Sequence, residues 1–274
     1  MALPPAPRVP TDTATLLRED HAGIVLLTLN RPEARNSLSE ALLVALANEL
    51  TAIAADTSVR AVVITANGPA FSAGHDLKEL SARRSDPDRG RGYFAHIMTL
   101  CSAVMLQIVR LPQPVIAAVQ GTATAAGCQL VASCDLAIAS AAAKFATPGV
   151  NIGLFCSTPM VALSRNVSAK HAMEMLLTGD AIAAEDAARI GLVNRVVAPG
   201  TERDQAFALA HRIAAKSRHV IKIGKQAFYR QIDMDLAQAY DYAAEVMVEN
   251  MMARDAAEGI AAFIEKRTAK WEDR

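Results

Sequence analysis

The stretch that most constrains this chain is residues 118–135, AVQGTATAAGCQLVASCD. The β-branched and alanine run Val115–Val119 leads into it as a strand, small residues follow, and a helix is expected to open near Gly127. A strand handing over to a helix through Gly, Ala and Thr leaves backbone N–H groups without intrahelical partners. The helix dipole favours negative charge at the same place. The site of function is therefore expected here, together with residues 144–157, KFATPGVNIGLFCS.

A second junction of this kind lies at residues 70–80, AFSAGHDLKEL, where Gly74 turns the chain, the His75 N–H is exposed by the turn and Asp76 caps a short helix. Before it, Ile24–Leu29 reads as a strand, Ser39 as the cap of a helix over Glu40–Ala55, and residues 60–65 as a buried strand. After it, residues 81–92 read as a polar surface loop with four arginines, and residues 93–110 as an amphipathic helix stopped by Leu111-Pro112.

Further strands are expected at 136–139 and 192–197. Between them helices are expected from Thr158-Pro159 to about Arg165, from Ser168 to Thr178-Gly179, and over 183–190. From residue 201 only helices are expected, over 202–216, 220–231, 236–252 and 256–270. This divides the chain into a tail (1–14), a β/α body (15–200) and a helical region (201–274) that either folds back over the body or packs against other subunits. The recurring strand–strand–helix rhythm suggests a stacked spiral more than a Rossmann fold.

Lys plus Arg and Asp plus Glu both number 28, so no net field points to nucleic acid or to an anionic membrane. No uninterrupted apolar run reaches the roughly 18–20 residues of a membrane span. The four cysteines, Cys101, Cys128, Cys134 and Cys156, show no C-x-x-C spacing, which suggests reduced buried thiols and a cytoplasmic location. The first twelve residues lack the features of a signal or transit peptide. His171-x-x-Glu174 has near-metal spacing without further ligands, so no metal site is expected.

Several segments together resemble the enoyl-CoA hydratase/isomerase, or crotonase, superfamily. They are Leu29-Asn30-Arg31-Pro32, Asn36-Ser37-Leu38, residues 70–80, 115–135 and 145–154, Leu177-Thr178-Gly179, Gly191-Leu192-Val193 and residues 262–267. The run AAGCQLVASCD with FATPGVNIGLFCSTP is similar to one subgroup, the enoyl-CoA hydratase domain-containing protein 3 type. The resemblance implies an α/β spiral of ββα repeats with two perpendicular sheets and C-terminal helices that build a homotrimer, in some members a dimer of trimers. It also implies an acyl-CoA thioester as ligand, with no cofactor beyond its coenzyme A moiety.

The resemblance further implies that the thioester carbonyl is held by the backbone N–H groups of His75, after the Ala73-Gly74 pair, and of Ala126. Where the family's hydratases carry two glutamates that position water and move its proton, this chain has Gln129 and Gly149. Gln hydrogen-bonds water but accepts no proton near neutral pH, and Gly offers nothing. Ser157 stands where some members carry an aspartate. It and Asn151 read more readily as pocket wall than as chemistry.

Arg31 and Lys78 are candidates for coenzyme A phosphates, with solvated charge as the alternative, and Phe263 and Lys266 match positions that reach coenzyme A of a neighbouring subunit. Glu79 is the carboxylate nearest in sequence to an oxyanion donor. The expected function is thioester binding with enolate stabilisation and weak or absent ordinary hydration. The alternatives are a non-catalytic thioester-binding or scaffold protein and, more remotely, thioester hydrolysis or decarboxylation.

Overall fold

The computed structural model describes residues 14–274, so all of the expected tail but Ala14 lies outside the described residues. Strands β1 (Leu16–His21) and β2 (Ile24–Leu29) form an antiparallel hairpin, and α1 (Glu40–Ala55) follows with Ser39 Oγ accepting from Leu42 N at 3.3 Å. Three repeats then share one plan. The first is β3 (Ala61–Ala66), β4 (Ala70–Ser72), α2 (Leu77–Ala82) and α3 (Arg91–Arg110). The second is β5 (Val115–Val119), β6 (Thr122–Thr124) and α4 (Ala126–Ser133).

The third comprises β7 (Leu136–Ser140), β8 (Lys144–Ala146), a 3₁₀ turn at Pro148–Ile152, α5 (Ser157–Leu163) and α6 (Ala169–Thr178). The body closes with β9 (Ile182–Ala183), α7 (Ala184–Arg189) and β10 (Arg195–Val197). The helices α8 (Glu202–Ala214), α9 (Arg218–Gln231), α10 (Leu236–Met252) and α11 (Arg254–Ile264) complete the chain.

Each repeat gives one strand to each of two sheets. The larger is ordered β1-β2-β3-β5-β7-β10 and is parallel from β2 onward; the smaller is ordered β4-β6-β8-β9, with only the β8–β9 pair antiparallel. Every repeat advances one place along both sheets, and this is the expected spiral. The larger sheet is apolar on both faces because both are covered. Val25, Leu27, Val62 and Ile64 face a core shared with α1 and α3, whereas Ile24, Leu26, Ala61 and Val63 face Ala206 and Ala210 of α8. The first of the C-terminal helices thus folds back over the body.

Several local expectations are corrected. Strand β1, with the charged sequence LLREDH, hides its period at a half-buried edge. The strands β4, β6, β8 and β9 are two or three residues long, too short for periodicity to mark. Cys156, not Thr158, precedes the first residue of α5. Helix α11 stops at Ile264, because Lys266 takes φ +56° and the chain turns back.

The returning C-terminal segment is strapped down. Buried Asp255 accepts the N–H groups of Glu272 and Asp273 at 2.7 and 2.9 Å, and Trp271 Nε1 donates to Ala215 O at 2.9 Å. Among the described helices, α3 alone has the length and hydropathy of a membrane span, yet its Ile97, Cys101, Val104, Met105 and Ile108 are packed into the core.

Helix α9 is pinned to the body by one buried cation. Lys225 Nζ donates to Asp135 Oδ2 at 2.6 Å, Gln113 O at 2.9 Å and Ile108 O at 3.0 Å, with its side chain 6% exposed. Asp135 Oδ2 also accepts from Val115 N at 2.6 Å. The three donors of the ammonium are therefore matched by three acceptors. Lys225→Ala would leave Asp135 buried without its counter-charge and two carbonyls without a donor, and is expected to cost roughly 3–5 kcal/mol in urea-induced unfolding.

Candidate active site

The two strand-to-helix junctions meet backbone to backbone. Gly74, at φ +89°, is so close to its neighbour that a Cβ there would lie 2.9 Å from Ala125 Cβ, 3.1 Å from Thr124 O and 3.2 Å from Ala126 N. A Cβ on Gly127 would lie 2.2 Å from Ser72 O, so the first turn of α4 sits on β4 only because that residue has no side chain.

On one side of the contact, Leu38 pairs with His75 in a parallel bridge: Leu38 N donates to Gly74 O at 2.7 Å and Leu38 O accepts from Asp76 N at 3.4 Å. A parallel bridge of this pattern uses the groups flanking His75, which turns its own N–H away from Leu38. On the other side Ala126 is the first residue of α4, with helical backbone and an N–H that no preceding turn can satisfy. Neither N–H has a hydrogen-bond partner among the described residues.

The bend between β6 and α4 falls on Ala125, at φ +50° and ψ −119°, a region that L-residues avoid. Its N–H donates to Ala146 O at 2.9 Å and its carbonyl accepts from Gln129 N at 3.0 Å, which fix the strained residue from both sides. The alanine at position 126 therefore costs nothing in backbone strain. The strain sits one residue earlier.

The polar side chains around this point are largely unsatisfied. Gln129 is buried with Oε1 unpartnered, Thr147 Oγ1 is buried and unpartnered, and both ring nitrogens of His75 are buried, the ring interacting with the Leu38 backbone. Thr147 precedes Pro148 at the start of the 3₁₀ turn, a capping position, yet its hydroxyl caps nothing. Burial lowers the His75 pKa from its ordinary value, so the ring is neutral near pH 7.

The carboxylates, by contrast, are committed. Asp76 Oδ1 accepts from Lys78 N and Glu79 N as the cap of α2, and Oδ2 accepts from Arg31 Nη2 at 3.0 Å and Ser37 Oγ at 3.2 Å. Burial alone would raise the Asp76 pKa, but these hydrogen bonds and the guanidinium hold it below the usual range. Glu79 Oε2 accepts from Glu40 N at 3.0 Å, an anchor for the start of α1.

Gly149 is buried, and its N–H donates to Cys156 Sγ at 3.3 Å. A Cβ there would lie 2.9 Å from that sulfur, 3.0 Å from Leu154 O and 3.2 Å from Cys156 N. The thiol thus fills the space that a side chain at 149 would enter. Burial pushes the Cys128 thiol up to about 12 and raises Cys156 as well, so neither is a thiolate at neutral pH.

The remaining sequence candidates are placed apart from these groups. Arg31 is spent on Ser37 O, at 2.7 Å, and on Asp76, and does not reach out toward a phosphate. Ala73 donates its N–H to Arg35 O, and Lys78 is exposed on the first turn of α2. Ser157 is exposed at the start of α5, its hydroxyl 3.4 Å from Phe155 O, and Asn151 is exposed too. Phe263, 86% exposed, and Lys266 lie at the end of α11 and make no hydrogen bond to the site elements of the same chain. His171 bonds Ser168 Oγ on the surface, and no metal-ligand cluster occurs among the described residues. Sequence reasoning missed Thr147 and the strain at Ala125; a threonine before a proline carries no mark of an unpartnered hydroxyl, and an alanine gives no sign of positive φ.

A spiral of ββα repeats with paired backbone donors at the meeting of two junctions defines a crotonase-type protein. The chain belongs to the enoyl-CoA hydratase/isomerase family, whose model matches residues 19–274. It is similar to the mitochondrial enoyl-CoA hydratase domain-containing protein 3 of Rattus norvegicus and of Homo sapiens, each 47% identical over 249 residues. These matches cover 91% of this chain and 81% and 80% of the two relatives.

Among solved structures, an enoyl-CoA hydratase from Mycobacterium smegmatis matches with TM-score 0.89 and 54% identity, covering 94% of this chain and 98% of that one. The human domain-containing protein 3 matches with TM-score 0.89 and 46% identity, covering 94% and 100%. The expected subgroup is thus confirmed. The cytoplasmic expectation is corrected: the rat, human and mouse relatives are named as mitochondrial proteins. Reduced thiols do not separate one reducing compartment from another.

The Gly149–Cys156 packing predicts the cost of refilling position 149. Gly149→Ala is expected to lower stability by roughly 1–3 kcal/mol in denaturant titrations. Adding Cys156→Ala should recover part of that loss, because the sulfur is the nearest of the three contacts.

Proposed function

We propose that this protein binds an acyl-CoA thioester with its carbonyl oxygen between the N–H groups of His75 and Ala126 and stabilises the enolate of that thioester. The observation that carries the reading is the pair of unpartnered N–H groups on two segments in backbone contact at Gly74. As the carbonyl gains negative charge, preorganised donors stabilise it more than they stabilise the ground state. Removing one such donor typically costs about 2.7–4 kcal/mol.

Ordinary enoyl-CoA hydration is weak or absent in this reading. Neither Gln129 nor Gly149 accepts a proton, and the space beside Gly149 is taken by Cys156. General acid–base catalysis is typically worth about 10²–10⁴-fold, and that factor is what the two positions forgo.

Assembly as a homotrimer, singly or doubled, is part of the same proposal. Helix α10 buries none of its residues within the chain, and Leu236, Tyr240, Met247, Val248, Met251 and Met252 are all exposed on it. A second reading, a binding protein without turnover, is favoured by the neutral, unpartnered Gln129 where a proton-moving group would act.

Two measurements on one sample test what both readings share. Crotonyl-CoA hydration is expected to be at least about 100-fold below that of a two-glutamate hydratase, while calorimetry shows thioester binding. A classical hydration rate would overturn the assignment of Gln129 and Gly149, and absence of binding would overturn both readings. In a Cys156→Ala background, which removes the nearest contact at position 149, Gln129→Glu combined with Gly149→Glu is expected to raise hydration more than the product of the single effects, since both groups act on one water.

A further inference from the structure

The N–H of Ala126 shares one peptide unit with the carbonyl of Ala125, and in a trans unit the two point in opposite directions. The hydrogen bond from Gln129 N to Ala125 O, at 3.0 Å, therefore fixes the direction of the Ala126 donor as well. That orientation holds Ala125 at φ +50° and ψ −119°, a backbone conformation that an alanine avoids.

The strain has one local outlet. Turning the 125–126 peptide unit over changes ψ of Ala125 and φ of Ala126 by about 180° each, because these are the two soft dihedrals that flank the rigid unit. Ala125 would then lie near the left-handed region, at about +50° and +60°, which an alanine adopts with less strain. The same rotation would carry Ala126 from a helical φ of about −60° to about +120°, where a Cβ meets the backbone and only glycine is at ease. Ala126 keeps its negative φ as the first residue of α4.

We infer that the Ala126 methyl is a positioning group for the donor on its own nitrogen, barring the turned-over peptide toward which the strain at Ala125 drives the chain. The inference rests on the proposed thioester site. Turned over, the unit would aim the Ala125 carbonyl where the thioester oxygen is to be held, and two electronegative oxygens would face each other. The facing junction puts no side chain in the way of that rotation: the residue opposite is Gly74, whose Cβ, if it had one, would lie 3.2 Å from Ala126 N. The barrier is therefore local, and it resides in the side chain at 126.

The test is a cycle of Ala125→Gly, Ala126→Gly and the double variant. Each is read by urea unfolding, by calorimetry with butyryl-CoA and by hydrogen exchange of the Gln129 amide, which loses its acceptor when the unit turns over. All three variants keep every N–H of the site. Ala125→Gly should raise the unfolding midpoint, the reverse of the usual Ala→Gly effect, since glycine takes φ +50° without strain. Ala126→Gly should weaken butyryl-CoA binding by about tenfold and speed Gln129 exchange by about as much, as the donor-in form becomes the minor one. In the double variant the strain that drives the turnover is gone, and most of both losses should be regained. A methyl that only packs would give losses that add.

An Ala126→Gly variant that binds as the wild type does and keeps Gln129 protected overturns the inference and leaves the thioester site standing. Equal losses with alanine or glycine at 125 overturn it too. So does an Ala125→Gly midpoint below that of the wild type, a result that needs no folded Ala126→Gly. A wild type that binds no thioester overturns the site itself, and the unfolding and exchange arms then judge the peptide unit on their own.

Discussion

Everything at the candidate site depends on backbone touching backbone where β4 meets the start of α4. Two glycines permit it, Gly74 against Thr124–Ala126 and Gly127 against Ser72, at separations where a Cβ would collide with main-chain atoms. The strand pairs β4–β6 and β6–β8 set this distance in the smaller sheet, and the larger sheet fixes which repeats are neighbours. The chain accepts a strained Ala125 to hold the contact, held in place by hydrogen bonds on both its amide groups.

The electrostatic character of the site follows from what lies around that contact. Asp76, Glu79 and Arg31 are consumed in securing the loop and the start of α1, so the charge nearest in sequence is structural. The residues that adjoin the paired N–H groups along the chain add no charge: an imidazole, a carboxamide and a hydroxyl, each with a buried polar atom. A neutral surrounding suits the stabilisation of developing negative charge, because fixed carboxylates would oppose it.

Much of this was legible in the residues. Long elements with clear periods or caps, such as Ile24–Leu29, Glu40–Ala55 and Val115–Val119, lie where the sequence places them, and the two junctions were marked by their small residues. The short strands of the smaller sheet were not legible, because three residues carry no period and their pairing partners lie a full repeat away. The partners of Arg31 and Glu79 were not legible for a related reason: a charge beside a candidate site looks available until its long-range partner is known.

The sequence by itself determined the repeat rhythm, the presence of two donor-bearing junctions, the absence of carboxylates at 129 and 149, and the family. These follow from residue type and local spacing. Only the tertiary structure decided that the junctions touch, that Cys156 occupies the space beside Gly149, that α8 covers the second face of the sheet, and that the polar atoms of His75, Gln129 and Thr147 are buried. The reason is physical: burial and contact are properties of groups far apart along the chain, and no local pattern encodes which of them will meet.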